Sequence, residues 1–245
     1  MKTILILGAN GRIGFELSKF FLKSNFKIIA VDKNFKKFKN KEISNFDKIK
    51  IDLSNEKNIQ KLIQKISKEK NLDGIVYSLY PKTNSWGEKF EKITQFHIKE
   101  NLYNQLGIPI LFLKNIYKFL IKKKIKSSII MISSIQGIRA PKFNHYKNLT
   151  MNSPIEYSAA KAGIISLTGY LAKYIKNKNL RINCISPGGI YDNQNKIFIK
   201  RYKNDCVSKG LLDPKDLCST VKFLISDDSK YIRGQNIVID DGWSL

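Results

Sequence analysis

Lys2-Thr3-Ile4-Leu5-Ile6-Leu7-Gly8-Ala9-Asn10-Gly11-Arg12-Ile13-Gly14 carries a short apolar run directly into a turn with glycine at every third position. The run reads as a buried strand, and the spacing of Ile13, Leu17, Phe20 and Phe21 reads as a helix with one apolar side. A strand, a tight turn and a helix in that order aim the first helical amides into the turn, where phosphate is the natural guest. Gly8 permits the turn, Gly11 lets backbone approach a pyrophosphate and Gly14 lets helix and strand pack closely, with Asn10, Arg12 and Ile13 beside them. The next apolar stretch ends in Asp32, where a carboxylate can bond the hydroxyls of an adenosine ribose.

Strand-like runs recur at 4–7, 27–31, 48–52, 74–78, 128–132, 181–185 and 236–239, with helical patterns between most of them. That alternation predicts an α/β fold, a doubly wound parallel sheet of about seven strands flanked by helices on both faces. Ligands of such sheets sit beyond the carboxyl ends of the strands, which would gather Gly8, Asp32, Asp52, Ser78, Ser134 and Pro187 at one edge. With 245 residues and no linker-like break, residues 1–245 read as one domain.

Lys+Arg of 44 against Asp+Glu of 20 gives a net charge of +24. The excess is nearly all lysine, scattered among Asn and Ile without an aromatic-interleaved stripe, so it reads as solvated surface and not as a nucleic-acid or membrane partner. Cys184, Cys206 and Cys218 have neither disulfide-framework nor metal-ligand spacing, and His97 and His145 suggest no metal site. No signal-peptide pattern or spanning run is present, and the expected location is cytoplasmic.

In Glu156-Tyr157-Ser158-Ala159-Ala160-Lys161, a tyrosine and a lysine four apart share one helix face. An ammonium beside a phenol is expected to lower its pKa and make it useful in acid-base chemistry at a carbonyl. Ser134 follows the fifth strand, and Ser186-Pro187-Gly188-Gly189-Ile190 follows the sixth. Together with the glycine turn, Asp32 and the tail from Tyr231 to Gly242, these motifs resemble the short-chain dehydrogenase/reductase family along the whole chain. The resemblance implies a Rossmann-type fold and hydride transfer between a nicotinamide cofactor and a carbonyl or secondary alcohol. It implies Tyr157 as the acid-base, Lys161 on the phenol and the nicotinamide ribose, Ser134 on the substrate oxygen, Asp52 and Leu53 by the adenine, and Ser78, Pro187, Gly188 and Ile190 along the cofactor. Relatives in the family commonly form homo-oligomers, dimers or tetramers.

The family's Asn-Asn-Ala-Gly after the fourth strand is replaced by Tyr77-Ser78-Leu79-Tyr80, and alignment puts Gln105 where its relay asparagine stands. Asp32 favours NAD(H), while Arg12 keeps NADP(H) as the alternative. Ser134 and Tyr157 lie 23 positions apart, an enlarged spacing that marks 140–154 as an insertion shaping the substrate pocket, with 190–212 as a substrate loop. These features are closest to a subgroup of flagellin-modification and surface-glycan (nonulosonic acid) oxidoreductases, implying a sugar substrate. Lys142, Lys147, Lys196, Lys200 and Arg201 are expected to flank the pocket, where they would suit a phosphorylated or nucleotide-linked sugar. The alternatives are a 3-oxoacyl-thioester reductase working with acyl-carrier protein, and a non-catalytic NAD-binding sensor or scaffold.

Overall fold

The computed structural model describes residues 1–38 and 44–245. Strands β1 (Thr3–Leu7), β2 (Lys27–Asp32), β3 (Phe46–Lys50), β4 (Gly74–Tyr77), β5 (Ser127–Ile132), β6 (Leu180–Pro187) and β7 (Asn236–Ile239) form one sheet in the order β3-β2-β1-β4-β5-β6-β7. Every pairing is parallel. The helices are α1 (Arg12–Lys23), α2 (Glu56–Lys65), α3 (Gln95–Leu102), α4 (Ile108–Lys123), α5 (Ile155–Tyr174), α6 (Lys196–Asn204) and α7 (Cys218–Ile225).

Alternation along β1 divides the core. Leu5 and Leu7 join a layer with Leu62 of α2, Phe112 and Ile116 of α4 and Ile164 of α5. Ile4 and Ile6 face the other way, into a layer with Leu17 and Phe21 of α1 and Val221 and Leu224 of α7. With both faces covered, residues 4–7 of β1, 75–77 of β4 and 129–132 of β5 run apolar without alternating with polar residues.

After β3 the chain returns to place β4 on the other side of β1, so a crevice opens at the carboxyl ends of β1 and β4. The third strand starts and ends two residues before the expected 48–52. Phe46 packs on Phe38, with ring centroids 4.7 Å apart, and that contact draws the pairing back until Ile28 faces Phe46. Asp52 lies past the strand, where its carboxylate accepts the Ser54 amide at 3.0 Å.

Gly8 stands at φ +79°, and a Cβ there would meet the Ser78 carbonyl carbon at 2.9 Å. A Cβ on Gly14 would come within 2.8 Å of the Ala9 Cα. Both positions require glycine, one for its backbone conformation and for space, the other for space alone. Gly14→Ala should therefore lower stability by about 2–3 kcal/mol, roughly 5–10 °C in Tm. Thermal unfolding measures this, and an unchanged Tm would mean that the turn has room for a side chain.

Candidate active site

A cleft of about 800 Å³ runs along the carboxyl edge of the sheet. Gly8, Asn10, Gly11, Arg12, Ile13, Asp32, Asp52, Leu53 and Ser78 line one end; Ser134, Tyr157, Lys161, Pro187, Gly188 and Ile190 line the other. Gly14 stays behind the turn as packing. No side chain caps α1 at Gly11, so the first-turn amides are left for a ligand. The Asp32 carboxylate accepts the Asn10 amide at 2.9 Å, which holds the glycine turn against the end of β2. The Ser78 hydroxyl donates to the Leu7 carbonyl at 2.7 Å, tying β4 to β1 at the crevice. Arg12 forms an ion pair with Asp192, spanning from the glycine turn to the loop after β6. These groups could hold a dinucleotide, with amides for its phosphates and Asp32 for its ribose.

At the other end, α5 approaches the turn after β5 because Gly137 has no side chain: a Cβ would lie 2.7 Å from the Lys161 carbonyl carbon. Ser133 Oγ donates to the Lys161 carbonyl at 2.7 Å and locks that approach. One helical turn separates Tyr157 from Lys161, and the lysine Nζ stands 5.5 Å from the phenol ring centroid while donating to the Ile132 carbonyl at 3.1 Å. Tyr80 and Trp86 close around the same phenol, with centroids 5.5 and 5.8 Å away.

The expected lowering of the Tyr157 pKa by Lys161 is corrected by the fold. Burial raises the phenol above its ordinary value, only partly offset by a hydrogen bond with Ser134. Burial also lowers Lys161 to about 8, since little charge of opposite sign faces it. Burial thus shifts both groups toward their neutral forms; the lysine still carries its proton at pH 7 and gives it up at about pH 8.

The π-turn Tyr103–Gly107 between α3 and α4 shifts the helix face by one residue. Gln105 is buried and its side-chain amide is taken up by the carbonyl of Pro81, a residue of the cleft wall, whereas Asn104 itself lines the cleft. The five expected flanking cations do not line the cleft. Lys142 pairs with Asp205 at 3.4 Å and stands over Trp243, and Arg201 donates to the Lys147 carbonyl at 2.7 Å. Among the described residues the cations on the wall are Arg12, Lys33, Lys82 and Lys161.

Six aromatic side chains also stand on the wall: His145, Tyr146, Phe198 and Tyr202 belong to the segments 140–154 and 190–212 expected to shape the pocket, whereas the sequence motifs single out neither Trp86 nor Trp243. One signal was available: the chain has 2 tryptophans, and both stand in polar, glycine-containing segments where no core strand or helix explains them. Among the described residues no group of three or more His, Cys, Asp and Glu could hold a metal, and no helix is long and apolar enough to cross a membrane.

Lys161 binds its proton more weakly folded than unfolded, so its contribution to stability is lowest below pH 8 and improves as pH rises from about 8 toward 10.5. Lys161→Met should stabilise the fold at pH 7 by on the order of 2 kcal/mol after loss of the Ile132 bond. Denaturant unfolding at pH 7 and pH 10 checks this: the gain should shrink at the higher pH, and destabilisation at pH 7 would contradict it.

Comparison with known proteins agrees with this geometry. A family model described as enoyl-(acyl carrier protein) reductase matches residues 8–244. The post-translational flagellin modification protein A of Campylobacter coli is 41% identical over 253 residues, covering 100% of this chain and 98% of that protein. A 3-oxoacyl-[acyl-carrier-protein] reductase of Rickettsia typhi is 28% identical over 98% of this chain and 96% of its own. The crystal structure of a short chain dehydrogenase from Leptospira borgpetersenii with bound NAD+ superposes with a TM-score of 0.89 at 31% identity, covering 100% of this chain and 93% of that one. The Rossmann-type sheet, the glycine turn at its switch point and these full-length matches place the chain in the short-chain dehydrogenase/reductase family of oxidoreductases.

Proposed function

We propose that this oxidoreductase acts on a carbonyl or secondary alcohol of a sugar in surface-glycan or flagellin-modification biosynthesis, with Tyr157, Ser134 and Lys161 as its reactive group. The observation that supports the chemistry is that these three side chains line one cleft together with Pro187 and Gly188, Ser134 bonded to the phenol and the lysine Nζ 5.5 Å from its ring centroid. The likeness to the Campylobacter coli protein supports the pathway.

When bound, a nicotinamide dinucleotide supplies the hydride or accepts it. The amides and side chains of Gly8, Asn10, Gly11, Arg12 and Ile13 would form its phosphate cradle, with Gly14 packed behind them; Asp32 would take the ribose, Asp52 and Leu53 would flank the adenine, and Ser78, Pro187, Gly188 and Ile190 would border the nicotinamide half. Tyr157 gives its proton to the substrate oxygen in reduction and takes it back in oxidation. Ser134 donates a hydrogen bond to that oxygen, and Lys161, near its own pKa, offsets charge on the phenolate or carries its proton. Asn104 takes the relay position expected of Gln105, whose side chain is occupied by Pro81. NAD(H) is preferred over NADP(H), because the Asp32 carboxylate repels a 2′-phosphate and Asp192 already engages Arg12.

The single-domain reading goes with this, with 140–154 and 190–212 as the substrate-facing segments. A cytoplasmic location, supported by three free cysteines, also belongs to it. So does a homo-oligomer, dimer or tetramer. Phe96 and Tyr170 are 66% and 65% exposed on α3 and α5, more apolar surface than a lone subunit gains from. Sedimentation should give a dimer or tetramer at micromolar concentration; a monomer would contradict the oligomer.

Tyr157→Phe should reduce turnover by about 10²- to 10⁴-fold while leaving NADH affinity within about twofold. Steady-state rates on a sugar panel with NAD+, with NADH binding followed by fluorescence, measure both. Undiminished turnover would remove Tyr157 from the chemistry. NADPH-dependent reduction of acetoacetyl thioesters, with no sugar oxidised, would move the substrate to the acyl-carrier class of the Rickettsia typhi relative. Binding without any turnover would indicate a sensor.

A further inference from the structure

The insertion 140–154 brings two titratable side chains to the cleft that the chemistry above does not use, His145 and Tyr146, and His145 carries a charged partner. His145 belongs to the short turn Phe143–His145, is 3% exposed, and forms part of the cleft wall. Its Nε2 lies 2.5 Å from Asp205 Oδ2, at the end of α6. A carboxylate at that distance holds the proton on Nε2, which leaves Nδ1 with a free lone pair.

That second nitrogen has no hydrogen-bond partner among the described residues. Among the described residues the enclosed side-chain atoms that lack partners are Tyr77 Oη, Ser127 Oγ, Glu156 Oε2, Arg181 Nε and Trp243 Nε1, and His145 Nδ1 is not one of them. Nδ1 therefore borders open space, and the space that His145 lines is the cleft.

The ring is held in place by aromatic neighbours, with centroids of Tyr202, Phe198 and Trp243 at 5.4, 6.0 and 6.0 Å. Asp205 is steadied in turn by Lys142 at 3.4 Å. The next residue, Tyr146, brings its hydroxyl within 3.5 Å of the Gln136 amide and is close enough to Tyr157 to raise that phenol's pKa. His145 thus stands one residue from the reaction centre's own electrostatic neighbour.

We propose that His145 is a substrate-binding residue that accepts a hydrogen bond from a non-reacting hydroxyl of the substrate, with Asp205 as the positioning residue that fixes its tautomer. The surrounding rings of Tyr146, Phe198, Tyr202 and Trp243 offer flat apolar faces to the C–H side of the same molecule, which fits a polyhydroxylated ring. A purely structural tie between the insertion and α6 would not need a histidine, since Lys142–Asp205 and Arg201 on the Lys147 carbonyl already make that tie. The inference rests on the sugar reading of the substrate.

The test uses the full chain with NADH or NAD+. At pH 8.5, where an imidazole is ordinarily neutral, ¹⁵N NMR should show His145 protonated at Nε2 and bare at Nδ1; a proton on Nδ1 overturns the proposal whatever the substrate is. In kinetics, glucose and N-acetylglucosamine are each compared with their monodeoxy forms. The native chain should prefer the hydroxylated member of one such pair by about tenfold in kcat/KM. His145→Phe should abolish that preference through KM, and His145→Gln, whose amide oxygen also accepts, should recover part of it; Asp205→Asn should lie between. An equal loss on both members of every pair, with Tm unchanged, would reduce His145 to packing and overturn the proposal. If the native chain turns over only non-sugar carbonyls, the sugar reading fails separately. His145→Phe and His145→Gln on the compound that is turned over then decide: a KM raised in the Phe variant and partly restored in the Gln variant retains the dyad, and a KM that is unchanged or equally raised in both overturns it.

Discussion

The close contact between the Gly8 turn and the Ser78 peptide governs the centre of the molecule. At φ +79° and with no side chain, Gly8 lets the end of β1 press on the end of β4, the two strands between which the chain reverses its winding direction. The crevice exists because the loops leave these strands on opposite faces, and it is narrow because both loops are anchored, Ser78 to the Leu7 carbonyl and Asn10 to Asp32. A side chain at Gly8 would separate β1 from β4 and misplace every group that the sheet brings to its carboxyl edge.

Around that crevice, stability is exchanged for reactivity. Lys161 is buried with a backbone carbonyl as its hydrogen-bonding acceptor, an arrangement that disfavours its charge and brings its pKa to about 8. Tyr157 is shifted the opposite way by the same burial. The two groups, nearly equal in proton affinity when free, are thereby driven apart, so the phenol keeps its proton as an acid while the lysine can give its own up near pH 8. The cost falls on the fold, and the large apolar layers on both faces of the sheet offset it.

Much of this arrangement was legible in the chain because it depends on local patterns. Apolar runs located all seven strands to within two residues, and the spacing of Gly8, Gly11 and Gly14 placed the switch point. What stayed hidden depends on tertiary contact. Phe46 moved β3 by two residues through its packing on Phe38, a contact no period encodes. The π-turn displaced Gln105 from the wall and brought Asn104 to it, a one-residue slip that alignment to a regular helix does not anticipate. The lysine excess concealed that Lys142 is consumed by Asp205 and Trp243, while the sign of the Tyr157 shift reversed because burial is invisible in sequence.

A crystal structure with NADH bound tests the central claim most directly, that Tyr157, Lys161 and Ser134 surround the reacting carbon. The nicotinamide ring should lie between Tyr157 and Pro187, leaving space for a substrate carbonyl at the roughly 3–3.5 Å separation that hydride transfer requires, with Lys161 turned toward the adjoining ribose. A dinucleotide bound away from the glycine turn, or a nicotinamide ring facing away from Tyr157, would contradict it.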